Sequence, residues 1–405
     1  MSRPVRSRRP RVVQVAIAGV TTLTVALLSS CGTGPPPPAA TPSVTQLVAG
    51  NGSEHQAAVS ADGNVVAFIT TSSDLGFTDD NGSAPDVVVL DRATGQMTHV
   101  AAWGADGGSP GSPPSLASRT EELALSADGR HLAFRTNTAV LPDDTNGTDD
   151  IYDYDRSTDA FTRVSAGADG GPLRRVSISD DGSVIGFNRA DAPTGYRYLR
   201  ATGSLEATFE GGFVTVIDGG PLSSNGRFQV QSTTASWAPD DTDTFQDCYV
   251  RNLDTHGTTR VPTPDTTIAC RDAFALDDGG AVVSAIMSEG VGFAQVVVVW
   301  HPGSEPVSFP VPVIQPDSSV GPVRSGGVPA GVAVNGSAVT VADYGVVTQT
   351  PLTFSMSLDA LDTSTGASTP IHHAALPHGS DTSATGRFVA FTSAAGHLQL
   401  WDRGS

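Results

Sequence analysis

Lysine is missing from this chain altogether. All 23 basic residues are arginine, set against 42 aspartates and glutamates for a formal net charge of −19. A polyanion of this strength has no charge-driven affinity for nucleic acid or anionic lipid, and it favours cations or basic partners. Cysteine is almost absent, with three in 405 residues. No P-loop, His-Glu-x-x-His or Cys-x-x-Cys motif occurs, so the usual nucleotide, zinc-hydrolase and dithiol signatures are excluded. Long apolar runs are lacking too, and the stretch from Val12 to Leu28 is short for a membrane span.

What is present is a repeat. A small-residue turn ending in Gly recurs as Ser60-Ala61-Asp62-Gly63, Ser126-Ala127-Asp128-Gly129, Ser179-Asp180-Asp181-Gly182 and Ser223-Ser224-Asn225-Gly226. It returns as Leu276-Asp277-Asp278-Gly279, Ala333-Val334-Asn335-Gly336 and Ser383-Ala384-Thr385-Gly386, with Gly-to-Gly intervals of 44 to 66 residues. Asp-Gly and Asn-Gly suit two-residue hairpins in which both central positions take positive φ. Each turn is therefore expected to join an innermost strand to a second one. A further hairpin follows in most copies, as in Asp86–Val100 and Asp150–Val164, with the period-two alternation of half-buried strands. Gln295 to Trp300 and Met356 to Leu361 take the same place in the fifth and sixth copies. Units of this kind cannot bury their faces alone and stack with their neighbours. The expectation is an all-β, seven-bladed β-propeller.

The seventh copy stops at Ser405 one strand short, while Ser43–Gly50 reads like a fourth strand with no hairpin before it. That N-terminal segment is expected to complete blade seven, closing the ring and removing free sheet edges. The propeller then spans 43–405.

The Ser-x-Asp-Gly-x-x-(Val/Leu/Ile)-(Ala/Gly)-Phe turn, followed by Asp-x-Tyr-x-x-Asp-Arg-x-Thr-Gly, resembles the TolB-type, WD40-like (PD40) propeller repeat. The resemblance is strong in blades one to four and seven and weaker in five and six, which lack the terminal Phe. No separate α/β domain fits between residues 32 and 43, so TolB's partners are not implied. The sialidase Asp-box is not matched, because its Trp is missing.

The first thirty residues read as an address. Arg3, Arg6, Arg8, Arg9 and Arg11 precede the apolar stretch, the layout of a signal peptide over 1–30. Leu28-Ser29-Ser30-Cys31 resembles the bacterial lipoprotein box, which implies diacylglycerol on Cys31 and cleavage before it. A lysine-free composition rich in Ala, Gly, Asp and Pro is that of a high-GC bacterial genome. After cleavage 18 arginines face 42 acids, a net of −24. Residues 31–42 carry the tetrad Pro35–Pro38, a semi-rigid tether. The expected location is the cell membrane, lipid-anchored on its extracytoplasmic face, with the membrane a partner through Cys31. A monomer is expected.

In that oxidising compartment Cys248 and Cys270 are expected to form a disulfide, two separate buried thiols being the alternative. Cys248 falls at the start of blade four's third strand, and Cys270 is placed in the connection entering blade five.

The chemistry concentrates in acidic loops between second and third strands. They read Asp79-Asp80-Asn81-Gly82 in blade one, Asp143-Asp144-Thr145-Asn146-Gly147-Thr148-Asp149-Asp150 in blade two, and Asp240-Asp241-Thr242-Asp243 followed by Asp247 in blade four. The plain reading is that these Asx residues cap turns and satisfy loop amides. The sharper reading is Ca²⁺, held by Asp80, by Asp241 and Asp243, and best in blade two by Asp144, Asn146, Asp149 and Asp150. No EF-hand is formed, since Asp149 stands where its glycine belongs. Connections carrying Asp106 and Asp169 are expected at the same end, which becomes the favoured binding face.

Gly107-Gly108-Ser109-Pro110-Gly111 matches Gly-x-Ser-x-Gly but lies in a Pro/Gly-rich loop and not in a nucleophile elbow. His372 and His373 are adjacent on an outer strand and point to opposite faces, so with His378 they make no shared site. Two function classes remain. One is a binding or scaffolding propeller that engages a protein, peptide or glycan through its loop face. The other is a propeller enzyme, a hydrolase or lyase on a sugar or lactone, with a metal in the central channel.

Overall fold

A computed structural model describes residues 41–48, 50–79, 84–102, 123–168, 172–189, 194–209, 218–289, 292–310, 326–333, 335–349, 352–373 and 380–404. These residues form seven four-stranded antiparallel sheets, each paired in the order inner, second, third, outer. Blade one is Glu54–Val59, Val65–Thr70, Asp86–Asp91 and Gln96–Ala102. Blade seven takes Asp381–Thr382, Phe388–Thr392 and Leu398–Asp402 from the C-terminal end and Ser43–Gln46 as its outer strand. There Ser43 pairs with Asp402 and Gln46 with Gln399. Each inner strand touches those of the neighbouring blades, blade seven against blade one included. The fold is a seven-bladed β-propeller, closed by the N-terminal strand.

The second strand of blade one, Val65–Thr70, is buried along its whole length and apolar up to Ile69, because both its faces are covered. In blade one Val65, Ala67 and Ile69 pack toward Leu132, Phe134 and Tyr152 of blade two. The alternate residues Val66 and Phe68 pack toward Phe388, Ala390 and Leu398 of blade seven. Period-two alternation thus sends one set of side chains into each of two inter-blade cores.

The repeated turn differs from the two-residue hairpin expected. Gly63 N–H donates to Ser60 O at 3.0 Å, Ser60 N–H donates to Val65 O at 2.9 Å, and of the turn residues only Gly63 has positive φ, at 72°. This is a four-residue loop built on a type I turn. Asp62 serves as a clasp, its Oδ1 accepting from Ser60 Oγ at 2.7 Å and from Asn64 N at 2.9 Å. The glycine answers a second demand. A Cβ on Gly63 would lie 2.8 Å from the Phe388 ring of the preceding blade, and one on Gly129 would lie 2.7 Å from Val65. Gly182, Gly226, Gly279 and Gly386 meet His131, Val184, Phe228 and Ala338 in the same way. Each of those six partners begins the preceding blade's second strand.

Hydrogen bonds also run from turn to turn at this end. Ala61 N donates to Ala127 O at 2.8 Å, Ala127 N to Asp180 O at 2.9 Å, and Asp180 N to Ser224 O at 2.7 Å. Asn225 N continues the series to Asp277 Oδ1 at 2.7 Å.

Blades five and six depart in strand length. Their second and third strands, Ala281–Glu289 with Gly292–Trp300 and Ala338–Gln349 with Leu352–Asp362, run 9 to 12 residues against six in blade one. The inner strand of blade five is likewise long, Thr267–Ala275, so Cys270 lies inside it and not in the connection before it. The extension is held by Cys270 N–H donating to Gln246 O of blade four at 2.7 Å.

Candidate functional site

The acidic loops stand at the end opposite the tight turns, where second strands lead into third strands. In blades one, two and four the third strand opens on a buried aspartate: Asp86, Asp150 and Asp247. Each meets a base 13 residues later on the outer strand. His99 Nε2 lies 2.8 Å from Asp86 Oδ1, Arg163 Nε 2.8 Å from Asp150 Oδ1, and Arg260 Nη2 2.9 Å from both oxygens of Asp247. The His99 ring also stacks on Phe77 at 5.0 Å. A buried carboxylate is costly without such a partner.

Blades two and four share more. Both loops read Pro-Asp-Asp-Thr, over 142–145 and 239–242. The second aspartate of each closes a turn, Asp144 N donating to Leu141 O at 3.0 Å and Asp241 N to Ala238 O at 3.1 Å. A tyrosine eight residues on donates its hydroxyl to that carboxylate. Tyr152 OH bonds Asp144 Oδ2, and Tyr249 OH bonds Asp241 Oδ2 at 2.5 Å. Burial, and then the acceptor aspartate, push both phenols well above their ordinary range, so each remains a donor at neutral pH.

The loops part at the third aspartate position. In blade two Asn146 Nδ2 donates to Asp150 Oδ2 at 3.0 Å, Ser165 Oγ donates to Asp150 Oδ1, and Arg135 Nη1 pairs with Asp149 Oδ2 at 2.6 Å. Register places Pro262 and Ser232 of blade four where blade two has Ser165 and Arg135, and the residue after Pro-Asp-Asp-Thr, four before the buried aspartate, is Asp243 in blade four and Asn146 in blade two. Three donors are therefore lost and one carboxylate is gained. One oxygen from each of Asp241, Asp243 and Asp247 lies within 4.8 Å of the other two. Oxygens bound to one Ca²⁺ at 2.3–2.6 Å stand at most about 5 Å apart, so the spacing fits. Asp241 is 7% exposed, and its Oδ1 is buried with no hydrogen-bond partner. Burial raises Asp247 above the usual carboxylate range, with Asp241 and Asp243 adding to the shift and Arg260 opposing it. Arg260 Nη2 is also 3.6 Å from Asp243 Oδ2, so an entering ion competes with this guanidinium.

The candidate residues thus sort by their partners. Asp144, Asn146, Asp149 and Asp150 come together, but around donors of the protein itself, and the blade two loop is the self-satisfied one. Asp241 and Asp243 come together with Asp247, among the described residues the one group of three His, Cys, Asp or Glu side chains spaced to share an ion. The 13-residue Asp-to-base spacing was available in the sequence as a sign that Asp150 and Asp247 are paired. Asp80, Asp106, Asp169, Cys31, the Gly-x-Ser-x-Gly string and His378 lie outside the described residues. His372 packs its ring on Phe391 at 5.4 Å.

The disulfide is formed, Cys248 to Cys270, with Cα atoms 5.6 Å apart. It joins blade four's third strand to blade five's inner strand, one residue beyond Asp247. Both cysteines are fully buried in the same core cluster.

As a sequence the chain matches no protein-family model and no curated protein. Its fold is similar to that of solved β-propellers. One is an oligogalacturonate lyase from Vibrio parahaemolyticus, with TM-score 0.55 and 12% identity over 89% of this chain and 93% of that one. Another is an oligogalacturonate lyase in complex with manganese, at 0.54 and 13% over 89% and 92%. TolB from Acinetobacter baumannii matches at 0.37 and 17% over 63% of this chain and 53% of its own. At these identities the likeness concerns the fold.

Proposed function

We propose that this chain is a binding propeller of the bacterial cell envelope. It is lipid-anchored through Cys31 on the extracytoplasmic face and engages a protein, peptide or glycan through its loop end. The metal that assists it is a divalent cation, calcium in that compartment, held by Asp241, Asp243 and Asp247. The observation that carries this reading is the buried, donorless Asp241 Oδ1 beside two further carboxylates, at the end where loops and not locked turns face solvent. Three carboxylates fill part of a coordination shell of six to eight oxygens, leaving positions for water or a ligand.

A propeller enzyme with a channel metal is the second reading, and the lyase structures support it at the level of fold alone. Among the described residues, the group spaced to share an ion comes from one loop of one blade. A catalytic channel ion would draw its ligands from several inner strands, which favours the binding reading.

The experiment is in two parts. Labelled fatty acid should be incorporated by the parent protein and not by Cys31→Ala, and the variant should leave the membrane fraction. Millimolar CaCl₂ should raise the melting temperature of the parent by mass action and leave Asp243→Asn unmoved. A parent with neither calorimetric heat nor thermal shift on calcium addition would overturn the cation reading.

A further inference from the structure

Beside the three carboxylates stands Phe245, 48% exposed. Among the residues whose side chains are described it is the one large exposed aromatic apolar residue; the other large exposed apolar residues are Val44, on the outer strand of blade seven, and Val307, on that of blade five. It is also held in place. Its N–H donates to Asp243 Oδ1 at 2.7 Å, and the next residue, Gln246, is buried and donates from Nε2 to Ser232 Oγ at 2.5 Å. Below the loop, Trp237 stacks on Phe209 at 5.5 Å and leans on Tyr249 at 5.4 Å, the tyrosine that holds Asp241. The ring is thus presented to solvent from a loop pinned on both sides.

A lone ring set among Asp, Thr and Gln is a poor centre for a protein interface, which needs a contiguous apolar core. It suits a sugar, whose ring has one apolar C–H face and a rim of hydroxyls. We infer that the blade four rim is a calcium-dependent subsite for a neutral glycan. Phe245 takes the apolar face of a sugar ring, and the ion held by Asp241, Asp243 and Asp247 takes two adjacent ring hydroxyls. The inference rests on the cation reading above. Neutrality follows from charge: with Arg260 against Asp247, the three carboxylates and a divalent ion leave no net positive charge to attract an acidic sugar, and the chain's formal charge of −19 repels a polyanion.

The purified protein is titrated calorimetrically with CaCl₂ alone. With calcium present it is then titrated with mannotetraose, cellotetraose and xylotetraose as neutral probes and tetragalacturonate as the charged one. At least one neutral tetrasaccharide should bind, and EDTA or Phe245→Ala should weaken it by about tenfold or more. Phe245→Trp should restore it, and Phe245→Ala should bind CaCl₂ as the parent does. Calcium binding without any neutral tetrasaccharide binding, sugar binding indifferent to EDTA or to Phe245→Ala, or a preference for tetragalacturonate would each overturn the inference while sparing the cation. Failure to bind calcium at all would remove the cation reading and this inference together.

Discussion

Blades two and four are built on the same loop, with the same Pro-Asp-Asp-Thr turn, the same tyrosine clasp and the same Asp-to-Arg pair across 13 residues. They differ in who supplies hydrogen bonds to the acids. Blade two answers Asp150 from Asn146, Arg163 and Ser165, whereas blade four answers Asp247 from Arg260 and places a third carboxylate where Asn146 would be. What separates the two acidic loops is thus their donors and not their count of aspartates, and that difference is the ground on which a cation is proposed for blade four alone.

The largest effect expected from breaking this comparison is in blade two. Asp150→Ala removes the buried carboxylate that accepts from Arg163, 12% exposed, and from Asn146 and Ser165, and should cost about 3–5 kcal/mol in denaturant unfolding. Asp247→Ala should cost less, about 1–3 kcal/mol, because Arg260 is nearer solvent at 23%. Equal losses would show that the two aspartates do the same structural work and that blade four has no surplus charge.

Next in size is the cross-link that ties blade four to blade five and has no counterpart in blade two. Replacing Cys248 and Cys270 together by Ala should lower unfolding free energy by about 3 kcal/mol for a loop of this order, their sequence separation being 22. Calcium affinity should fall with it, since the disulfide fixes Cys248, the residue next to Asp247. Retention of full affinity would place the ion's ligands outside the cross-linked strand.

A smaller and more diagnostic change converts one loop toward the other. Asp243→Asn imports the blade two pattern, so in EDTA the protein should gain about 0.5–1 kcal/mol from the added donor. The same variant should lose the calcium-induced thermal shift. A variant that keeps the shift would mean that Asp243 is not a ligand.

The subtlest test is pH. Asp247 is held above the usual carboxylate range by burial, so protons compete with the ion there earlier on acidification than at an ordinary aspartate. A group whose folded pKa is raised destabilises the fold while ionised, and that penalty fades as pH falls through its pKa. The calcium-induced rise in melting temperature should therefore shrink as pH is lowered from neutrality, while the cation-free protein is relieved at this site. A calcium increment constant down to the ordinary aspartate range would contradict the placement of the ion against Asp247.

The ring, its blade count and the strand that closes it were legible because turn glycines and apolar alternation are local signals. Ser43–Gly50 announced itself as an orphan fourth strand, and the structure pairs Ser43–Gln46 there. The cysteine pair was legible from compartment and parity. The hairpin type was misjudged because the Ser60–Asp62 clasp, which keeps φ negative at Asp62, is a side-chain bond that the Asp-Gly dipeptide does not reveal. The ranking of the loops was hidden for a related reason. Arg135 lies on another strand and Ser165 two residues past the end of a third, and only register shows that blade four has Ser232 and Pro262 in their places. The second role of Gly63 and Gly129, clearance for the preceding blade's side chain, depends on ring geometry and leaves no local trace.

The closing strand also gives the molecule a polarity. Ser43 pairs with Asp402, and Arg403 N–H bonds Arg387 O beside the last tight turn, so the chain enters blade seven at the turn end and climbs toward the loop end, where Leu47 reaches Leu398. Whatever pulls on the polypeptide ahead of residue 43 pulls on the base of the ring. The acidic rim of blade four lies at the other end of the ring from this point of entry. Force along the tether would be borne by the four-residue pairing of Ser43–Gln46 before it reached any other blade.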